Sequence, residues 1–124
     1  MDISTVERLT TYKAKRGATE YLDIEAFTGT PDGTEITRAA LKVAHLDKEV
    51  PADDVEVSRD FAIQFVPAAG AVKAYWRLTL TAEQTETLAP DIYITDVRIV
   101  QGGVVTYSDP VLIDFRERVT PPLA

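Results

Sequence analysis

The sequence predicts an all-β fold: an antiparallel β-sandwich of about seven to eight strands with one short helix. Three observations predict it. Apolar residues recur with a period of two in short runs, most clearly at Trp76, Leu78 and Leu80 and at Phe61, Ile63 and Phe65. Turn signals separate the runs: Pro31-Asp32-Gly33, the PAAGA stretch at 67–71, Gln101-Gly102-Gly103 and Asp109-Pro110. The 124 residues suit one domain with a single core, and no internal repeat divides them.

Residues 1–11 read as an arm or a short helix. Ser4 and Glu7 have capping-box spacing, and Val6 and Leu9 form a short apolar stripe. A strand added to a neighbour's sheet is the third option. Lys15-Arg16-Gly17 reads as a turn. Over 20–27, Leu22, Ile24 and Ala26 face one way, and Tyr21, Asp23, Glu25 and Phe27 the other. That is a strand with a largely acidic, solvated second face. Residues 28–34 form a loop. Leu41 and Val43 alternate with Lys42 and Ala44, which predicts a strand over 36–46, although the Ala-containing run 38–44 could also be helical. DKEVPADD at 47–54 is a charged loop. Val55 and Val57 begin another strand, Arg59-Asp60 makes a bend, and Phe61, Ile63 and Phe65 share the next inward face.

The second half is clearer. Residues 75–81 form a half-buried strand with Trp76, Leu78 and Leu80 on the inner face. Thr81 and Gln84 then have capping-box spacing, Glu83 and Glu86 sit early in the helix that follows, and Pro90 stops it. Residues 92–100 are dense in Ile, Val, Tyr and Thr, the strongest strand in the chain. Tyr93, Thr95, Val97 and Ile99 form one face. On the other, Ile92 and Ile94 give way to Asp96 and Arg98, so one end is covered and the other wet. Gly102-Gly103 supplies the positive φ angles of a tight hairpin. Residues 104–107 return, Asp109-Pro110 breaks the ladder, and Val111, Ile113 and Phe115 resume an inward face. The expected core is Leu22, Ile24, Leu41, Val43, Phe61, Ile63, Phe65, Trp76, Leu78, Leu80, Tyr93, Val97, Ile99, Val111, Ile113 and Phe115.

Composition excludes several classes of function. Without cysteine there is no disulfide and no thiolate metal site. No run of about 18 apolar residues offers a membrane span, and the N-terminus lacks the apolar core of a signal peptide. The net charge of −7 is uneven: residues 1–18 carry +2, 19–60 carry −7 and 61–124 carry −2. An acidic body argues against a nucleic-acid backbone as partner. The small basic stretch Lys13, Lys15 and Arg16 docks on an acidic neighbour or is solvated.

No catalytic constellation emerges, and no cofactor or metal site is predicted. His45, the only histidine, has no motif partner beyond nearby Asp47, and reads as a strand-end residue. Asp47, Glu49, Asp53 and Asp54 offer oxygens for Ca²⁺, but without EF-hand spacing or its Gly, so a solvated acidic loop is preferred. Asp23 with Glu25, and Asp96 with Asp114, are carboxylate pairs without a cleft. Ser4, Ser58 and Ser108 sit in no nucleophile elbow. Arg16-Gly17-Ala18 lacks the Asp of an adhesion tripeptide, and Gly102-Gly103 joins two strands rather than cradling a phosphate. Tyr75, Trp76, Tyr93 and Tyr107 could build an aromatic sugar platform, but Trp76 shares parity with Leu78 and Leu80, which favours the core.

The order of motifs over residues 12–120 resembles a family of small bacteriophage tail and baseplate domains with an immunoglobulin-like sandwich. The residues that carry it are Leu78 to Thr81, then Gln84, Thr85, Leu88 and Pro90. They continue with Tyr93, Asp96 and Val97, then Gly102, Gly103, Thr106, Val119 and Thr120. An opening motif of an aromatic followed by K/R-R-G-D-T is echoed from Tyr12 to Thr19, and a mid-loop D-G by Asp32-Gly33 with Ile36-Thr37 after it. Ala18 replaces the usual Asp, which removes a carboxylate that could hold the N-terminal arm, and Asp91 replaces the usual Gly after Pro90. The resemblance implies a non-enzymatic virion structural protein, made in the host cytoplasm, in the tail or baseplate. Other virion proteins are its implied partners, with a homo-oligomeric ring or assembly on a partner, and without nucleic acid or membrane. The edge strands, residues 1–11 and the stiff tail around Pro121-Pro122 (residues 116–124) would dock on neighbours. The alternatives are an immunoglobulin-like binding module for a host glycan or surface protein, and a head accessory protein. The expected organisation is an arm over 1–11, a sandwich over 12–120 and a tail over 121–124.

Overall fold

The period-two runs form strands, and the strands form two sheets packed face to face. The computed structural model describes residues 9–25, 35–45, 51 and 54–121. In chain order the elements are β1 (Thr11–Lys15), β2 (Glu20–Glu25), β3 (Ile36–Val43), β4 (Arg59–Asp60) and β5 (Ala62–Val66). Then come β6 (Tyr75–Leu80), α1 (Ala82–Glu86), β7 (Asp91–Gln101), β8 (Val104–Tyr107) and β9 (Val111–Arg116). The larger sheet has the order β1-β9-β7-β3-β4, and β8 pairs with β7; the smaller is β2-β6-β5. That partition is the immunoglobulin-type Greek key, with the second, sixth and fifth strands against the third, seventh and ninth. The all-β expectation holds, with nine strands among the described residues. The expected arm over 1–8, the ends of two strands at 26–27 and 46, the loop over 28–34, most of the acidic loop (47–50 and 52–53) and the tail over 122–124 lie outside the described residues.

β7 is the spine. On one side it pairs with β3. On the other, β9 covers Asp91–Thr95 and β8 covers Arg98–Gln101. The break expected at Asp109-Pro110 separates these two partners. Ser108 bridges it: its hydroxyl accepts the Val97 N–H at 3.0 Å, and its own N–H donates to the Val97 carbonyl at 3.0 Å. The β7–β8 hairpin closes over Gly102 and Gly103, at φ 55° and 80°. Positive φ at both central residues is the turn geometry whose twist matches the strands.

Four local expectations need correction. β1 is a strand where the sequence predicts the end of an arm and, at Lys15, a turn, and it runs parallel to β9, with Thr11 opposite Leu112, in a sandwich expected to be antiparallel. The Gly17 corner moves the chain from one sheet to the other, so β1 and β2 cannot form a hairpin. Val55 and Val57 lie outside any strand, and Arg59–Asp60 is itself a strand, pairing Asp60 with Ala40 and Arg59 with Leu41. The crossing to the second sheet falls at Phe61, buried, with its N–H on the Ala39 carbonyl at 3.0 Å. The helical option for 38–44 gives way to a strand, because β7 and β4 flank it on both sides. Finally, α1 ends at Glu86, so Glu86 sits at the C-terminal end of the helix rather than early in it.

Of the expected core, fifteen of sixteen residues belong to or pack on one cluster centred on Trp76, Leu78, Leu41 and Val97. Val111 is the exception: it lines a 270 Å³ opening between the sheets beside Tyr12 and Ile24. Ala14, Ile36, Ala39 and Leu88 join the core unannounced. Trp76 packs on Phe65 with ring centroids 5.0 Å apart, and Tyr93 meets Phe115 edge-on at 6.0 Å. Aromatic pairs prefer such tilted geometries. A second cluster covers one end of the outer face of the larger sheet. Ile94 and Leu112 are buried there, with Leu9, Ala44 and Ile92 against them. This is the covered end that the Ile92-Ile94 parity predicts; Asp96 and Arg98 lie at the wetter end.

Candidate functional site

Three places carry polar chemistry or exposed apolar surface: a corner built on Gly17, the outer face of the larger sheet, and the free edge of β8.

The corner is a structural tie. Thr81 caps α1 as the spacing predicts: its hydroxyl accepts the Gln84 N–H at 3.1 Å, and the Gln84 side chain accepts the Thr81 N–H at 2.9 Å. The cap sets the direction of a five-residue helix whose Thr85 is fully buried. The Thr85 hydroxyl accepts the Gly17 N–H at 3.1 Å and donates to the Ala18 carbonyl at 2.8 Å. Arg16 donates from Nε to the Glu86 carbonyl at 2.8 Å and pairs with Glu117 at 2.9 Å. Arg118 grips both Glu86 carboxylate oxygens, at 2.6 and 3.0 Å, and donates to the Arg16 carbonyl. Gly17 has a φ of 82°, and a Cβ there would meet Glu86 Oε2 at 2.6 Å and Arg118 Nη1 at 2.8 Å. Arg16 is thus engaged within the chain. Glu117 and Arg118 are engaged within the chain, and Val119 beyond them is 95% exposed.

The outer face of the larger sheet holds a groove of about 580 Å³. Its floor comes from Ala40 and Ile94, its cations are Arg38, Lys42 and Arg98, its carboxylate is Asp96, and Tyr107 and Val57 stand at its sides. Burial pushes the Asp96 carboxyl above its ordinary value, and the charge of Lys42 partly opposes that. Arg38 forks onto Asp60, at 2.8 and 3.3 Å.

β8 is exposed at all four positions, among them Val104, Val105 and Tyr107. Its one strand partner among the described residues is β7. Of the other edges, β1 carries Lys13 and Lys15, β2 carries Glu20, Asp23 and Glu25, and β4 is Arg59–Asp60; β5 is uncharged like β8, but its Ile63, Phe65 and Val66 are half-buried. Charged side chains deter strand addition, and β8 has none.

The candidates read from sequence do not converge. His45 is exposed at the end of β3, with no side-chain partner among the described residues. Asp47, Glu49 and Asp53 lie outside the described residues, and Asp54 is exposed. No group of three His, Asp or Glu among the described residues is arranged to hold a metal ion. Asp23 is held by Arg77 at 2.9 Å and Glu25 by Lys73 at 3.5 Å. Asp114 lies opposite Ile92, four residues along β7 from Asp96, and pairs with Arg116. At about 3.3 Å per residue, the two carboxylates stand roughly 13 Å apart, outside the range of a glycosidase pair. Trp76 and Tyr93 are buried, Tyr107 is on β8, and Tyr75 is on the outer face of the smaller sheet, so no four-ring platform exists. Arg77 instead lies over Tyr21 at 4.6 Å and Tyr75 at 5.6 Å. The groove cations were legible only as outward positions; the register that collects them was not.

No protein-family model matches the sequence, and no curated protein is detectably similar to it.

Proposed function

We propose that the chain is a non-enzymatic structural subunit of a phage or phage-like particle, in the tail or baseplate, acting through subunit assembly. The observation that carries this reading is the β8 edge. An uncharged strand with exposed Val104, Val105 and Tyr107, and a backbone edge unpaired among the described residues, is a template for strand addition. The motif order over residues 12–120, which resembles small tail and baseplate domains, supports the particle context. Heterologous edge contacts that close would give a ring.

Light scattering after size exclusion, over a concentration series, tests it. The expected result is a mass that rises to a closed oligomer. Val105→Lys should return it to a monomer with an unchanged melting temperature, since the position is exposed. A strict monomer at millimolar concentration, or an oligomer indifferent to Val105→Lys, overturns the edge reading.

A further inference from the structure

Cross-strand register orders the outer face of the larger sheet into rows. Arg98 on β7 faces Arg38 on β3, and Tyr107 on β8 faces Arg98 from the other side. In the next row Asp96 faces Ala40, and in the next Ile94 faces Lys42. Directly opposed residues share a face, so like charges placed opposite one another destabilise a sheet. The Arg38–Arg98 pairing is such a violation, and violations of local rules concentrate at functional sites.

The compensation is incomplete. Asp60 neutralises Arg38. Arg98 meets no carboxylate among the described residues. Its Nε donates to the Thr37 hydroxyl at 2.8 Å, where β3 carries an irregularity between Ile36 and Arg38 that interrupts the register. Bulges of this kind re-aim side chains beside binding sites. Lys42 likewise has no ion-pair partner among the described residues. Ala40, between the cations, leaves the floor low. A chain with a net charge of −7 thus gathers, around a groove that is part apolar, two cations without an ion-pair partner among the described residues.

We propose that this groove binds an acidic peptide segment of a partner protein, with one carboxylate at Arg98, a second at Lys42 on the far side of Asp96, and an apolar side chain lodged over Ala40 and Ile94. Charge complementarity selects the carboxylate, and the planar guanidinium fork suits it. The apolar floor favours a peptide over a sugar, which would need ring faces; Tyr107 offers only one, at the rim. The inference goes beyond the edge contacts of β8, because the groove lies over β3 and β7.

The test is a titration of the isotope-labelled full chain, followed by its amide resonances, with a blocked Val-Glu-Val-Glu-Val-Glu peptide. Its Val-Gln counterpart, sialyllactose and inorganic phosphate are the other arms. The expected result is saturable shifts centred on Ala40, Lys42, Asp96 and Arg98, weakened by salt, with the Gln peptide roughly tenfold weaker or worse. Arg98→Gln and Lys42→Gln should each weaken the acidic peptide by a similar factor. Arg98→Gln should leave the melting temperature unchanged or raised, because it removes the opposed like charge. No saturable shift at millimolar acidic peptide overturns the proposal, as does equal binding of both peptides or indifference to both variants. Shifts at these residues with sialyllactose or phosphate but not with the acidic peptide overturn it in favour of a glycan or a simple anion. Because the readout is peptide binding, a monomeric chain that binds would sink the β8 reading and spare this one.

Discussion

The Tyr93 hydroxyl donates to the Ala89 carbonyl four residues upstream, at 2.6 Å. Tyr93 lies near the start of β7 and Ala89 in the connection from α1, so the bond ties the crossover between sheets to the strand that enters the core. In immunoglobulin-like sandwiches a tyrosine at this corner makes the same backbone tie. Tyr93 is 3% exposed but Ala89 is at the surface, so the bond is part-buried. Tyr93→Phe is expected to destabilise the domain by about 1 kcal/mol through the lost hydrogen bond, with water taking up the freed carbonyl. Urea denaturation, with an unchanged m-value, checks it.

Thr85 makes the equivalent tie for the first corner. Its hydroxyl serves both the Gly17 N–H and the Ala18 carbonyl at zero exposure. Thr85→Val keeps the shape and removes both bonds, leaving a donor and an acceptor unsatisfied. A loss of about 2–3 kcal/mol is expected. Hydrogen exchange should show the Gly17 amide opening faster than those of β7, because the loss is local.

The C-terminal segment divides at Val119. Ending the chain after Arg116 removes Glu117 and Arg118 and strips Arg16 and Glu86 of their partners. Since these side chains are part-exposed, the cost is expected to be about 1 kcal/mol, a few degrees of melting temperature. Ending it after Val119 should leave the melting temperature unchanged. Thermal melts of the two truncations separate a clamp from a loose tail; equal melting temperatures would show that Arg118 contributes nothing.

Asp96 makes stability depend on pH in an unusual direction. Burial raises its carboxyl in the folded state above the ordinary 3.8. The folded state therefore holds the proton more tightly than the unfolded one. The stabilising contribution is full below the ordinary value and is lost as pH rises through the raised one. Asp96→Asn should then be more stable than the parent at neutral pH, with the gain vanishing below about pH 4. Asp23, Asp114 and Glu117 have the opposite sign: hydrogen bonds from Arg77, Arg116 and Arg16 lower their carboxyls, so their contribution is lost on acidification. Melting temperature against pH for parent and variant isolates the Asp96 part. A neutral-pH loss in Asp96→Asn would contradict it.

Much of this was legible in the chain because it is local. The alternation of Trp76, Leu78 and Leu80 sets an inward face whatever the strand pairs with, since the side-chain period of a strand is a property of its backbone. The Thr81–Gln84 cap closes over four residues, and the Gly102-Gly103 turn needs only two positive φ angles. Such features are decided within one turn of chain. Register and sheet membership are not. That β1 lies parallel to β9, that Phe61 crosses between sheets and that Arg98 faces Arg38 depend on segments roughly 20 to 100 residues apart competing for the same edges. Pairing free energy is spread over many weak contacts, and no single residue announces it. By itself the sequence determined the strands, the helix and its cap, the turns and most of the core. Only the tertiary structure decided which charges meet: Arg16 and Arg118 turned inward to hold a corner, Arg38 and Arg98 brought face to face on an open groove.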